Sequence, residues 1–133
     1  MTLVVDASVV VAALLDSGPT GAWAEDLLAG GGLAAPHVMQ VEAANVLRRA
    51  ALSGDVPAAV ASLAHEELLA LRVDLFPYPS TAARVWELRA NVTAYDACYV
   101  AVAELLGADL ATLDRRLAQA SGPRCGFVLH GEG

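Results

Sequence analysis

The sequence predicts an α/β fold of three layers, α/β/α, with a mainly parallel central sheet of about five strands. Three observations lead there. Short apolar runs recur down the chain, and segments of helical character separate them. The runs are unbroken, as in strands buried on both faces, and do not alternate as a half-exposed strand would. Two of them, Leu3-Val4-Val5 and Leu110-Ala111-Thr112-Leu113, end directly in an acid, where open parallel sheets place their ligands.

The elements follow in order. Leu3–Val5 is the first strand, and Ser8 after Asp6 favours a turn into a helix over residues 9–15. Asp16-Ser17-Gly18-Pro19 breaks the chain before a helix at 22–28, with Trp23 and Leu27 on one face. Gly30-Gly31-Gly32 is a turn and not a nucleotide loop, because no GK[ST] or GxGxxG pattern accompanies it. Leu33-Ala34-Ala35 is a minimal strand stopped by Pro36. A helix over 39–52 places Glu42, Asn45 and Arg49 on a shared face. Asp55 is a candidate cap for the next helix, 56–71, with Pro57 in its first turn. Residues 72–76 form a strand, and Ser80 is the candidate cap of a helix reaching Arg89. Ala94–Leu106 is a helix that Gly107 terminates. Residues 108–113 form the fourth strand, 115–120 a short helix, and 126–129 the last strand. The tail 131–133 is expected to fray.

Length and composition bound the function. The 133 residues fit one domain, 1–133, without internal repeat. At 56% apolar, much of it alanine, the chain is too hydrophobic for disorder and suited to close helix packing. The net charge is −7, and all eight basic residues are arginine. That excludes broad, non-specific nucleic-acid binding, but leaves room for a local arginine patch or a basic partner protein. Cys98 and Cys125 lack metal-ligand spacing and read as thiols of a reducing compartment. Asp6 interrupts the apolar start, and no basic segment precedes it. The expectation is a cytoplasmic chain without signal peptide or membrane span.

Four acids stand out, and each has a plain structural explanation. Asp6 can cap the helix after it, although Ser8 can take that task and leave Asp6 free. Glu42 can be a first-turn glutamate; its apolar surroundings ask for a buried partner otherwise, and Asn45 is placed to orient it or hold water. Thr93-Ala94-Tyr95-Asp96 resembles a capping box with aspartate at N3. Asp114 can cap the helix at Arg115, and Thr112 falls on its side of an extended segment. Asp109 stands at the wrong end of its strand. Together the acids mean more. Converging carboxylates repel unless a cation offsets them, and carboxylate and water oxygens suit Mg²⁺ or Mn²⁺. Such a site activates water for phosphodiester hydrolysis, so the residues point to a metal-dependent nuclease.

At this point the chain resembles the PIN domains, and more narrowly the VapC-type toxins of bacterial toxin–antitoxin pairs. The resemblance covers almost the whole length. It rests on Val5-Asp6-Ala7-Ser8, on Glu42 with Asn45, on Tyr95-Asp96-Ala97, and on Leu110-Ala111-Thr112-Leu113-Asp114-Arg115-Arg116-Leu117. It implies a small ribonuclease cleaving RNA with Mg²⁺ or Mn²⁺. Asp6 and Asp96 would be principal metal ligands, Glu42 would bind a second metal or position water, and Asp114 would complete the pocket. Ser8, Asn45 and Thr112 would support them. The resemblance also implies a homodimer and a cognate VapB-type antitoxin that covers the RNA groove. Any sequence-specific DNA binding would be the antitoxin's own. Arg48, Arg49, Arg115 and Arg116 are the candidates for RNA phosphate contacts.

Competing readings fare worse. A phosphate-receiving signalling domain wants a second acid beside Asp6 and a lysine, but Ala7 follows Asp6 and the chain has no lysine. A haloacid-dehalogenase-like phosphatase wants an aspartate where Ser8 stands. His37, His65 and His130 form no zinc motif and no Ser-His-Asp order, and read as surface or locally bonded residues. A PIN-like module that binds RNA or an antitoxin without cleaving is the alternative to the enzyme.

Overall fold

Val4 and Val5 are completely buried, and their strand, β1 (Leu3–Val5), is the middle strand of a parallel sheet in a computed structural model describing Met1–Gly131. To one side lie β2 (Leu33–Pro36) and then β3 (Asp74–Phe76). To the other lie β4 (Asp109–Ala111) and then β5 (Phe127–Val128). The order is β3-β2-β1-β4-β5, and every pairing is parallel. The chain works outward from β1 to β3 and then crosses back to β4. The reversal falls between β1 and β4, so their carboxyl ends flank the crevice where such sheets carry their sites.

Helices cover both faces of the sheet. The helix α6 (Ala94–Leu106) lies across β2, β1 and β4, and every residue from Ala97 to Ala103 is buried. α5 (Ala82–Glu87) packs on α6. α1 (Ala7–Leu15) packs against α2 (Pro19–Ala29) and against the pair α3 (Val38–Ser53) and α4 (Ala58–Ala70). α7 (Arg115–Gln119) is a short turn of helix after β4. Alanines at these contacts, among them Ala24, Ala43 and Ala64, are nearly or fully buried, as the composition predicts.

The expected elements are all present; β3, β4 and β5 are shorter than expected, while Pro36 does not stop β2 but is its last residue, paired with Phe76. Residues 108–113 yield three strand residues, Asp109–Ala111; the Thr112 N–H still donates to the Val128 carbonyl at 3.1 Å while its hydroxyl turns to Asp6. Pro57 is not inside α4. It stands at the cap with extended ψ of 148°, and its carbonyl accepts from Val60 and Ala61, while Asp55 caps nothing. Ser80 is not a cap either. Its hydroxyl turns back to the Pro77 carbonyl at 2.6 Å, closing a 3₁₀ turn at Tyr78–Ser80 and delaying α5 to Ala82. Gly107 ends α6 at φ +62°, as expected. Of the tail expected to fray, Glu132 and Gly133 lie outside the described residues. No described helix is long and apolar enough to cross a membrane.

The junction of α1 and α2 depends on Gly21. A Cβ there would stand 1.8 Å from the carbonyl oxygen of Asp16. Alanine is the better helix former by about 1 kcal/mol, but a backbone atom cannot move aside as a side chain can. Gly21→Ala is therefore expected to lower stability by about 2 kcal/mol, read as an earlier urea midpoint. An unchanged midpoint would mean that the junction relaxes freely.

Candidate active site

The site begins with the way β1 ends. Asp6 keeps extended backbone, and its N–H donates to the Ala111 carbonyl of β4 at 3.2 Å. Its carboxylate is 8% exposed. One oxygen, Oδ1, accepts from the Val9 N–H at 3.2 Å and from the Ser8 hydroxyl. The other, Oδ2, accepts a short bond from the Thr112 hydroxyl. Asp6 is thus the cap of α1. Ser8 is not, because its hydroxyl is spent on Asp6 and on accepting the Leu113 N–H at 3.2 Å. Burial pushes the Asp6 carboxyl above its ordinary range, and these donors only partly offset it.

Thr112 is fully buried and serves two acids. While donating to Asp6 it accepts the Asp114 N–H at 3.0 Å, which shapes the exit of β4. Asp114 then caps α7, accepting from Arg116 at 2.9 Å and Leu117 at 3.3 Å through the same oxygen. Its second carboxylate oxygen is left over from the cap. Asp96 sits in the first turn of α6, where Thr93 accepts its N–H at 3.2 Å, so the backbone half of the expected capping box is formed. Burial, and then the charge of Asp114, raise the Asp96 carboxyl.

Glu42 comes from α3, one turn in from its start, and its partner comes from α6. The Tyr99 hydroxyl donates to Glu42 Oε1 at 2.6 Å. Tyr99 is 2% exposed, and through this bond its phenol joins α6 to α3. Burial and the Glu42 carboxylate push its proton far from release, so it acts as a donor only. Burial raises the Glu42 carboxyl, and the charges of Asp96 and Asp6 raise it further.

All four predicted acids line one cleft of about 270 Å³, together with Ser8, Asn45 and Arg49. Each is at an element start or a strand exit on the carboxyl edge, and Asp109 lies at the opposite end of β4, as expected. Among the described residues no three His, Cys, Asp or Glu groups stand close enough to cage an ion unaided. The donor set nonetheless fits a hard divalent cation. It consists of carboxylate and hydroxyl oxygens, and Mg²⁺ takes one or two carboxylates while keeping several waters. After burial, the charges of Asp96 and Asp6 raise Glu42 and that of Asp114 raises Asp96, which is the electrostatic condition a cation relieves.

The supporting residues divide. Thr112 and Ser8 hold Asp6, whereas Asn45 lines the cleft without orienting Glu42. Arg49 lines the acid cleft, but Arg48, one residue round the helix, faces α4 beside Ser62 and Glu66. Arg115 turns away to the His130 carbonyl at 2.7 Å, and Arg116 reaches a neighbouring cleft with Asp96 and Asp114. Tyr99 is the residue that the sequence reading missed. Its signal was there: it lies three residues after Asp96, on the same helical face, in a run of otherwise apolar residues. His130 is half-buried, and its ring packs locally on Trp23 at 5.2 Å.

Comparison with known proteins places this geometry. The PIN domain family matches residues 3–123. The chain is 41% identical over 123 residues to VapC ribonuclease Mb0985 of Mycobacterium bovis, covering 92% of this chain and 94% of that protein. The crystal structure of PAE2754 from Pyrobaculum aerophilum superposes with a TM-score of 0.70 at 28% identity, over 96% of this chain and 83% of the other. VapBC2 from Rickettsia felis, solved bound to a DNA fragment from their promoter, shares the fold with a TM-score of 0.68 at 12% identity, over 97% and 98% of the chains.

Two predictions follow from the charges and from Tyr99. Asp6, Glu42 and Asp96 all have raised carboxyls, so in that window the folded protein binds more protons than the unfolded chain. Their contribution favours folding at acid pH and is lost as pH rises through the raised values. Metal-free protein should show this loss in melting curves, and Asp6→Asn should flatten it. At neutral pH, Mn²⁺ at a hundred times its Kd should restore about 2.7 kcal/mol, and less in Asp6→Asn. Tyr99→Phe leaves Glu42 Oε1 without its donor. It should weaken Mn²⁺ binding, measured by calorimetry, by about 10- to 100-fold; an unchanged affinity would remove Glu42 from the metal site.

Proposed function

The chain belongs to the PIN-domain family, and we propose that it is a Mg²⁺- or Mn²⁺-dependent ribonuclease that serves as the toxin of a toxin–antitoxin pair. The observation that carries the reading is the convergence of Asp6, Glu42, Asp96 and Asp114 in one cleft at the switch point of the sheet. The ribonuclease relative aligned over 92% of the chain supports the substrate class.

Each residue has a task in hydrolysis of an RNA phosphodiester. A bound divalent cation supplies Lewis-acid stabilisation of the phosphate and a more acidic water. Asp6 and Asp96 are the principal ligands that hold it. Asp6 suits that role because Ser8, Thr112 and the Val9 N–H fix both its oxygens, so little freedom is lost on binding. Glu42, steered by Tyr99, keeps Oε2 free to accept a proton from an attacking water or to hold a second ion. Asp114 completes the pocket with the oxygen its cap leaves over. Arg49 is within the same cleft to meet a phosphate oxygen.

Two protein partners belong to the proposal: a second copy of the chain and a VapB-type antitoxin. The R. felis complex supports the antitoxin. Val41, Leu52, Leu63 and Leu69, exposed on α3 and α4, offer apolar area for a partner to cover. Sequence-specific DNA contact is left to the antitoxin.

Antitoxin-free protein should cut RNA in Mg²⁺ or Mn²⁺ and stop in chelator. Asp6→Asn should reduce the rate at least about 100-fold, since even outer residues of metal sites cost 10- to 100-fold. Cleavage-site sequencing of total RNA with the two proteins is the measurement. Cuts that persist in Asp6→Asn would sink the assignment, and RNA binding without cleavage in either ion would favour a non-catalytic module.

A further inference from the structure

A second cleft, of about 530 Å³, shares Asp96 and Asp114 with the first but reaches neither Asp6 nor Glu42. Its walls are α7 and the turns between α5 and α6, and its polar lining includes Arg89, Asn91, Thr93 and Arg116. The two arginines stand beside two acids of the first cleft. Among the described residues, ion pairs are made by Arg84, which takes Glu87 and Glu104; Arg89 and Arg116 pair with no carboxylate. Most of the chain's eight arginines share that state, so what sets Arg89 and Arg116 apart is their place: both line a cleft that contains Asp96 and Asp114.

Arg89 is also held in place. Its Nη1 donates to the Trp86 carbonyl at 2.8 Å, and its guanidinium lies 4.8 Å from the centroid of the Trp86 ring. Trp86 itself is 66% exposed. An indole and a guanidinium stacked in solvent form a flat platform, whose remaining N–H groups match a phosphate. Flat aromatic and guanidinium surfaces take unstacked bases, which only single-stranded nucleic acid offers freely.

We propose that this second cleft is a subsite for single-stranded RNA beside the scissile phosphate. The strand leaves the acids past Arg116 and Arg89, which bind successive backbone phosphates, and a base rests on the Trp86–Arg89 platform. Arg49 lies in the acid cleft itself, so cations flank the carboxylates on the strand's path. The inference rests on the ribonuclease reading and adds to it where the substrate runs and what form it takes.

Binding and cleavage are tested separately. Fluorescence anisotropy with labelled single-stranded RNA is run on Asp6→Asn protein, so that nothing is cut. There Arg89→Ala and Arg116→Ala should each weaken binding about tenfold and make the log–log salt dependence shallower by about 0.7. Trp86→Ala should weaken it about tenfold with the salt slope unchanged. Arg89→Lys and Arg116→Lys should recover the slope. Arg72→Ala is the control: it removes the same charge from an exposed residue just before β3, at the opposite edge of the sheet, and should change nothing. In cleavage-competent protein the three alanine variants should raise KM for oligonucleotides extended beyond the cut by more than they raise it for a dinucleotide. Variants that bind and cleave extended RNA like wild type, or an Arg72→Ala as damaging as the others, would overturn the subsite while wild-type cleavage kept the nuclease standing. The predicted binding pattern without wild-type cleavage would do the reverse.

Discussion

One buried carboxylate organises the carboxyl edge of this protein. Asp6 stands at the end of the central strand, where little water reaches it, and three groups answer for that: the hydroxyls of Ser8 and Thr112, and the Val9 N–H at the α1 helix start it caps. They reduce the cost of the charge without abolishing it, which is why the carboxyl remains raised. Thr112 belongs to the exit of β4 and not to the neighbourhood of Asp6 in sequence. The bond between them therefore fixes how β1 and β4 end relative to one another, and through Thr112 it also directs the Asp114 N–H. The sheet's switch point and the site's geometry are set by the same contact.

The opposite end of the sheet shows what a purely structural acid looks like here. Burial pushes Glu104 up, but Arg84 meets it through two nitrogens, at 2.7 and 3.2 Å, and the Arg124 N–H donates at 2.8 Å; its carboxyl ends below the ordinary range. Asp6, Glu42 and Asp96 are shifted the other way, and the partners they have are uncharged hydroxyls and N–H groups. The same fold thus neutralises an acid at one end of the sheet with an arginine, and at the other leaves acids uncompensated, as the proposed cation site requires. That contrast separates a site from an incidental cluster more sharply than the presence of four carboxylates does.

The strands and helices were legible because apolar runs and breakers coincide with them, and the acids were legible because two of them end such runs. What was not legible depends on atoms far apart in sequence. Ser8 and Asp6 are both good caps locally, and only Thr112, more than a hundred residues on, decides that Ser8 must serve Asp6 instead. Arg48 and Arg49 are adjacent, but a helix turns neighbours about 100° apart, so one meets α4 and the other the acids. Tyr99 looked like core because it is core; its hydroxyl alone reaches the site. Ser80 and Pro57 were misplaced by a residue or two because caps and prolines mark a boundary without saying which side of it they take.

The net charge of −7 conflicts with an RNA substrate only if RNA responds to the whole chain. At physiological salt, charges more than about 8 Å apart are largely screened, so a strand in the clefts feels their own lining. There, on the function proposed above, Arg49 and Arg116 would meet phosphates, while Asp6, Glu42, Asp96 and Asp114 would repel them until a cation is bound. Affinity without metal is held down by those acids, and the remaining negative surface discourages RNA elsewhere. A chain built this way gains little from indiscriminate backbone binding and depends on an unpaired strand entering the cleft. Its acidity then acts in favour of selectivity, because a few placed arginines reward the right path and the rest of the surface penalises every other.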